Sequence, residues 1–299
     1  MRRCDRCGHA RAYELADGRF KCKACGQRCT WTTAWDSIRL AEATKRRLLE
    51  LFVLGVPVYR QRFRAPASAP TIERFYRLAR ACCAYVEELR EPFGGAIECD
   101  ETTIGGARRG KRGWGADGKV IVLGILQRNG QVKVFDVPAR GNKFIRLVRS
   151  HTKPGSLYYT DDWHAYGSLR VQGDHVVIRK ERGRPKGRDH INGIEVFWSY
   201  AKNWLYPFRG VPRKHLHLFL GEICYRFNHR DEDLFPLIHK LLRSTSMSEI
   251  NPVLVRNRLV LPNILGWGPS VCSGGVLGEN VQVAAVSVDA VAFPAGGLS

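Results

Sequence analysis

The chain has 299 residues, 44% of them hydrophobic, and can therefore bury the core of one large domain or of two to three smaller ones. Its 48 Lys and Arg against 28 Asp and Glu give a net charge of +20, which indicates a polyanionic partner, most often nucleic acid. The sequence shows neither a signal peptide nor an apolar segment of membrane-spanning length. We therefore expect a cytoplasmic, nucleoid-associated protein without a membrane partner.

Residues 1–35 form a Cys-rich module. The pairs "CDRC" at 4–7 and "CKAC" at 22–25 are each followed by Gly, as in the two knuckles of a zinc ribbon. In a reducing compartment such clustered cysteines favour metal ligation over disulfides. We predict one structural Zn²⁺ bound by four thiolates, those of Cys4, Cys7, Cys22 and Cys25. Cys29 is a rival for one of these positions. The alternative is that the cysteines are buried core residues unrelated to a metal.

Residues 36–92 are predicted to be helical. Apolar residues recur at helical spacing over 41–55 and 71–89, and "APASAP" separates the two runs. Arg74, Arg77 and Arg80 recur every third residue on the second helix and could follow DNA. A helix-turn-helix is one interpretation, and an ordinary helical linker with a solvated face is the other.

After residue 95 the pattern becomes mixed α/β. Strands are predicted at 96–104, 119–128, 131–138, 156–160 and 175–179, and helices at 142–151, 191–206 and 214–230. Asn129-Gly130 predicts a hairpin between the second and third strands. This order matches a ribonuclease-H-like domain, a mixed sheet with flanking helices, which we place at 93–245. Residues 246–299 are predicted to be an accessory or poorly ordered tail, because no Lys or Arg occurs from Leu259 onward.

Three carboxylates fall on separate predicted elements. Asp100 lies in the first strand with Glu101 pointing to the opposite face, Asp161 ends a later strand, and Glu195 begins a helix. Such a set could anchor two Mg²⁺ ions about 4 Å apart for phosphoryl transfer. Each acid also has a structural interpretation. Asp100 could accept a hydrogen bond at a strand end, and Asp161 or Asp162 could cap a turn. Asn192 and Glu195 could form a capping box at the start of the helix.

Basic residues near these acids could contact DNA backbone. Lys202 lies two helical turns after Glu195 on the same face, whereas Trp198 on that face is expected to be core. The segment "RKERGRPKGR" at 179–188, with Arg182, Arg184 and Lys186, is predicted to be a DNA-clamping loop, and "RRGKR" at 108–112 could act likewise. A solvated loop is the alternative for both segments.

The blocks "ECDETTIGG", "YYTDDWHAY" and "HINGIEVFWSYAKNWL" followed by "HLHLFLGEICYRFNHR" resemble DDE-type insertion-sequence transposases, in the zinc-ribbon-bearing ISXO-like branch. The resemblance covers residues 1–242 in the family's order. It implies Asp100, Asp161 and Glu195 as the triad that binds two Mg²⁺ or Mn²⁺ ions, with Asn192 as a rival to Glu195. Asp161 is preferred to Asp162 because it follows the Thr of the motif.

The resemblance further implies an enzyme that cleaves double-stranded DNA at the ends of its own element and transfers the strands to a target. Two ends must meet, which implies a homo-oligomer on DNA. A non-catalytic zinc-ribbon DNA-binding regulator, derived from a transposase, is the alternative.

Overall fold

A computed structural model describes most of the chain. The described residues are 4, 6–7, 9–16, 19–29, 32–105, 119–128, 130–137, 142–161, 169–170, 172–178 and 190–255, with backbone alone at 29, 142 and 143. Within these residues, none of the helices combines the length and the apolar character that a bilayer crossing requires.

The Cys-rich module folds into a small antiparallel sheet. Strands β1 (Ala12–Glu14), β2 (Phe20–Cys22) and β3 (Arg28–Cys29) pair in that order. The turn after β2 is closed by the Gly26 amide, which donates to the Cys22 carbonyl at 3.0 Å, and Gly26 has φ +70°. This positive φ favours Gly directly after the second Cys pair.

A five-stranded mixed sheet forms the centre of the α/β part. Its strands are β4 (Ala96–Ile104), β5 (Val120–Gln127), β6 (Gln131–Val137), β7 (Leu157–Asp161) and β8 (His175–Ile178). Their order is β6-β5-β4-β7-β8, with β4, β5 and β6 antiparallel, β7 parallel to β4, and β8 parallel to β7. The predicted mixed α/β class is confirmed, and this order is consistent with a ribonuclease-H-like arrangement.

Helices cover both faces of this sheet. Helix α3 (Asn142–His151) places Phe144 and Val148 on one face, in a core shared with Ile97 and Cys99 of β4. Helices α4 (Asn192–Leu205) and α5 (Leu216–Asn228) cover the other face, in a core that includes residues of β5, β6 and β7. Strand β4 is therefore central and buried on both sides, and its polar residues require partners within the protein.

A third core joins the N-terminal helices to the end of the described chain. It contains α1 (Glu42–Val53), α2 (Ala69–Leu89), α6 (Leu234–Ser244) and α7 (Met247–Leu254), together with one face of α5. Helices α2 and α5 approach closely at Gly221, where an added Cβ would lie 2.3 Å from the Ala84 Cβ. Any larger residue at position 221 would push these helices apart.

The helical segment differs from a helix-turn-helix. Residues 54–68 connect α1 to α2 and include a 3-10 turn at Val58–Gln61, whereas the helix-turn-helix motif has a turn of 3–4 residues. Arg80 is buried and ion-paired rather than part of an exposed stripe. Helix α7 lies within the stretch assigned to the tail, and its Ile250 is fully buried.

Candidate active site and metal centres

Two of the three predicted acids lie side by side. The parallel ladder between β4 and β7 pairs Cys99 with Thr160, so Asp100 and Asp161 are the next residues on adjacent strands. One carboxylate oxygen from each, and one from Glu101, lie within 4.8 Å of one another. Carboxylates at this spacing suit a hard divalent cation such as Mg²⁺.

The three carboxylates of Asp100, Glu101 and Asp161 repel one another when no cation is bound between them. Burial, together with the neighbouring Glu101 and Asp161 carboxylates, raises the pKa of Asp100 to about 6. Hydrogen bonds from the Glu101 backbone and the Trp198 side chain act in the opposite direction. A bound cation would relieve the repulsion that the three acids exert on one another.

Glu101 belongs to this group, although strand alternation predicted it to point away from Asp100. The β4–β7 ladder ends at the Cys99–Thr160 pair, and the Glu101 carboxylate approaches Asp161 past that end. Glu101 is 5% exposed, so its charge is almost fully withdrawn from water. Alternation along β4 could not predict this, because Glu101 lies inside the strand but beyond the last residue pair with β7, where its long side chain can reach Asp161.

Helix α4 is held directly against the acids. The Trp198 indole donates from Nε1 to Asp100 Oδ2 at 3.1 Å, which fixes one oxygen of the carboxylate. Gly124 on β5, opposite Asp100 in the register, makes room for the indole, since a Cβ there would lie 2.6 Å from the ring. Trp198 is 5% exposed, which confirms it as a core residue.

The N-terminus of α4 is capped from the sheet by Glu98. The buried carboxylate accepts from the Ile194 amide at 2.9 Å and from Arg128 Nε at 3.0 Å. The helix begins at Asn192 without a side-chain cap of its own, so the alternative interpretation of Asn192 and Glu195 as a capping box is wrong. A carboxylate from β4 takes that place and neutralises the partial positive charge of the helix end.

The third predicted acid, Glu195, lies in the first turn of α4 and outside the acidic group. Glu195 is exposed and lies one turn before Trp198 on α4. Among the described residues, the group within 4.8 Å contains Asp100, Glu101 and Asp161 without Glu195. Lys202 is exposed further along the same helix, and Asp162 lies outside the described residues.

The four predicted thiols of the ribbon also come together. Sγ of Cys4 lies 3.6 Å from that of Cys25, Sγ of Cys7 lies 3.5 Å from that of Cys22, and all four are within 4.8 Å of one another. A tetrahedral zinc site with bonds of about 2.3 Å places its sulfurs roughly 3.8 Å apart. The side chain of Cys29 lies outside what the structure describes.

Comparison with known proteins identifies the family. Residues 92–228 match the family described as "ISXO2-like transposase domain". A Haemophilus influenzae protein, named an uncharacterized transposase-like protein, is 36% identical over 86 residues, which are 28% of this chain and 70% of the relative. The chain belongs to the ISXO2-like transposase family. A Halobacterium salinarum protein, named an uncharacterized protein in transposable element ISH50, is 25% identical over 221 residues, 67% of this chain and 69% of the relative.

The part that matches the ISXO2-like transposases begins just before β4 and ends with α5. It therefore contains the acidic group, the Glu98 cap and α4, whereas the ribbon precedes it. Family membership confirms the resemblance to insertion-sequence transposases and supports a transposase role.

Only some of the residues predicted to bind DNA lie in the part of the chain that the structure describes. Arg74 and Arg77 are exposed on α2, and Arg74 Nη2 donates to the Ser37 carbonyl at 3.3 Å. The loops at 108–112 and 179–188, with Arg182, Arg184 and Lys186, lie outside the described residues. Their role in DNA binding stays a prediction.

We expect Glu98→Gln to lower the unfolding free energy by about 2 kcal/mol, because Ile194 and Arg128 then share a neutral acceptor inside the protein. Urea denaturation measures the change. Asn192→Ala on the same turn is the matched control and should cost less than about 0.5 kcal/mol, since its side chain is exposed and caps nothing. Equal losses in the two variants would contradict Glu98 as the cap of α4.

Proposed function

We propose that this chain is a DDE-type DNA transposase that cleaves the ends of its own element and joins them to target DNA. The observation that carries the proposal is the pair of carboxylates, Asp100 and Asp161, at adjacent positions on parallel strands beneath α4. A ribonuclease-H-like catalytic domain over residues 93–245 would contain this pair. Simple DNA binding does not account for three acids in a mostly buried position, because burying like charges together is costly without a cation.

The residues fit a divalent metal site. Asp100 and Asp161 would hold Mg²⁺ or Mn²⁺ with Glu195 as the third ligand, and Glu101 adds a negative charge beside them. Two bound ions would supply Lewis-acid activation of the attacking oxygen and stabilisation of the leaving oxygen. Support for Glu195 comes from its position on α4, one turn before the Trp198 that bonds Asp100.

The chain's own groups would position the DNA. Trp198 orients one oxygen of Asp100, and Glu98 fixes the start of α4 relative to β4. Lys202, exposed on α4, would bind a phosphate next to the acids. Arg74 and Arg77 on α2, and the basic residues of 179–188, would bind DNA backbone as well. Two chains at least would act together to join two ends.

The ribbon would bind one structural Zn²⁺ through its four thiolates. Backbone hydrogen bonds from Cys25 and Ala24 help to lower the pKa of Cys22 to about 6. At Cys7 the His9 backbone acts to lower the pKa, but hydrogen bonds with the neighbouring thiols and burial raise it to about 12, so zinc binding would have to displace protons from the cluster. Four protein ligands leave no open position on the metal, so this ion would stabilise the module rather than take part in chemistry.

We expect one Zn²⁺ per purified chain and loss of that zinc in Cys22→Ser, because a hydroxyl is a poor replacement for a thiolate ligand. Elemental analysis of the full-length protein gives the stoichiometry. Cys29→Ser is the matched control and should keep its zinc. Zinc retained by Cys22→Ser and lost by Cys29→Ser would assign the fourth ligand to Cys29 instead.

A strand-cleavage assay tests the proposed function. The substrate is DNA carrying both ends of the element with their flanking sequence, incubated with Mg²⁺, with Mn²⁺, or with chelator. We expect cuts at the ends that leave free 3′-hydroxyls, in Mg²⁺ or Mn²⁺ only. Tight binding of the ends without cleavage in either metal would favour the DNA-binding regulator over the transposase.

A further inference from the structure

Three exposed aromatic rings lie among arginines, outside the acidic group itself. Tyr59 and Phe63 belong to the connection between α1 and α2, and Tyr206 follows the last residue of α4; they are 42%, 83% and 85% exposed. Large exposed side chains that gather on one surface mark interaction sites, whereas singly scattered ones need no partner. We call the surface formed by residues 58–64 and 204–214 the arginine–aromatic platform.

Direct contacts join its two segments. The Tyr59 hydroxyl donates to the Pro207 carbonyl at 2.9 Å. The Arg209 guanidinium lies 5.2 Å from the centre of the Tyr59 ring, and that of Arg62 lies 4.5 Å from the Phe63 ring. Arg209 has φ 52° and ψ 34°, in the left-handed region, so the chain adopts a costly conformation at the residue that contacts Tyr59.

The platform is strongly positive. Its two segments contain six Lys or Arg residues and neither Asp nor Glu. All six are exposed, and none forms a salt bridge with the part of the chain that the structure describes. They are Arg60, Arg62, Arg64, Arg209, Arg213 and Lys214. Such a surface has charge complementarity to a polyanion.

The exposed rings favour unpaired nucleotides over duplex DNA as the bound polyanion. Duplex DNA presents its phosphates outward and its base faces inward, so flat rings contribute little to binding it. Unpaired nucleotides present both phosphates and base faces, and aromatic residues inside a basic surface bind them by stacking. Guanidinium planes beside the rings add further stacking faces.

The platform also lies near the proposed cleavage site. Tyr206 follows Trp198 by eight residues along α4 and the turn after it, about 12 Å at 1.5 Å per residue. This distance corresponds to roughly three to four nucleotide steps of 3.4 Å. A strand separated at the acids therefore needs only a few nucleotides to reach Tyr206.

We propose that the arginine–aromatic platform binds an unpaired DNA strand next to the cleavage site. The proposal rests on DNA as the substrate of the proposed function. It assigns to the platform a preference for unpaired nucleotides, through stacking on Phe63 and Tyr206.

Fluorescence anisotropy without Mg²⁺ tests this, using a blunt duplex of about 20 base pairs and the same duplex with a single-stranded extension of about six nucleotides. The wild type should bind the extended DNA more tightly. Phe63→Ala/Tyr206→Ala should weaken binding to the extended DNA about tenfold and change blunt-duplex affinity less than about twofold. Arg62→Ala/Arg209→Ala should weaken binding to both DNAs and reduce the salt dependence by about one unit of slope per lost phosphate contact.

Matched controls lie on other exposed surfaces. Leu89→Ala removes an apolar side chain that is 62% exposed, and Lys240→Ala/Arg243→Ala removes two exposed cations of α6; both should retain the wild-type preference. An unchanged preference in Phe63→Ala/Tyr206→Ala, with thermal unfolding unaltered, would overturn the proposal. So would a change in self-association, measured by sedimentation, with DNA binding unaffected. Because cleavage is not measured, an inactive wild type would count against the proposed function alone.

Discussion

Asp100→Asn should reduce Mg²⁺-dependent strand cleavage by about three orders of magnitude, because a neutral ligand withdraws several kcal/mol of stabilisation from the bound ions. The substitution also removes like-charge repulsion beside Glu101 and Asp161, so the variant should fold at least as stably as the wild type. Loss of activity without loss of stability would separate a catalytic role from a structural one. Anisotropy on the DNA ends should show nearly normal binding.

The same assay decides between the possible third ligands. We expect Asp161→Asn and Glu195→Gln to be as inactive as Asp100→Asn, and Asn192→Ala to remain active, because an amide adds no charge to balance two divalent ions. Glu101→Gln should retain more activity than Glu195→Gln, since Glu101 is proposed as a neighbouring charge. If Glu195→Gln cleaves normally and Glu101→Gln is dead, the third ligand comes from β4 and the assignment of Glu195 is wrong.

Glu222→Leu should lower the unfolding free energy by about 3–5 kcal/mol. The Glu222 carboxylate accepts from Arg80 Nε at 2.6 Å and from Arg226 Nε at 2.8 Å, and all three side chains are buried. Arg226 also donates to the carbonyls of Phe52 and Val53 at the end of α1. Removing the carboxylate leaves two buried guanidinium groups without their counter-charge, at the junction of α1, α2 and α5.

Urea denaturation measures this loss, and Glu50→Ala is the matched control. Glu50 pairs with Arg47 at 2.8 Å on the exposed side of α1, where 46% of its side chain is accessible, so its removal should cost less than about 1 kcal/mol. Replacing Arg80, Glu222 and Arg226 together by apolar residues should restore much of the stability, because no buried charge then remains. A small loss in Glu222→Leu would show that water reaches the two arginines.

Regular elements were predictable where local pattern and packing agree. Strand β4 and helix α3 have the predicted bounds because alternation in one and helical spacing in the other match faces that are buried. The hairpin at Gly130 follows from turn chemistry, and its φ of +102° confirms the need for Gly. The close pairing of Asp100 with Asp161 depends on the parallel pairing of β4 and β7, a contact between distant segments that no local pattern specifies.

What sequence reasoning missed depends on contacts between distant residues. Arg80 has the spacing of an exposed stripe, but its partner Glu222 lies 142 residues away. The Glu98 cap likewise comes from another element, so inspection of the first turn of α4 could not reveal it. Helix α7 had a local signal, since Ser246 and Glu249 form a capping box, but it was assigned to the tail.

The proposed DNA cleavage requires metal ions held by Asp100 and Asp161, and iron-directed backbone cleavage of the protein locates such ions. Fe²⁺ replaces Mg²⁺, and added peroxide with ascorbate generates radicals that cut the chain next to the bound ion. Mass spectrometry locates the cuts. We expect cuts near residues 100, 161 and 195 that excess Mg²⁺ suppresses and that Asp100→Asn abolishes. Cuts confined to the ribbon, or cuts that persist unchanged in Asp100→Asn, would contradict it.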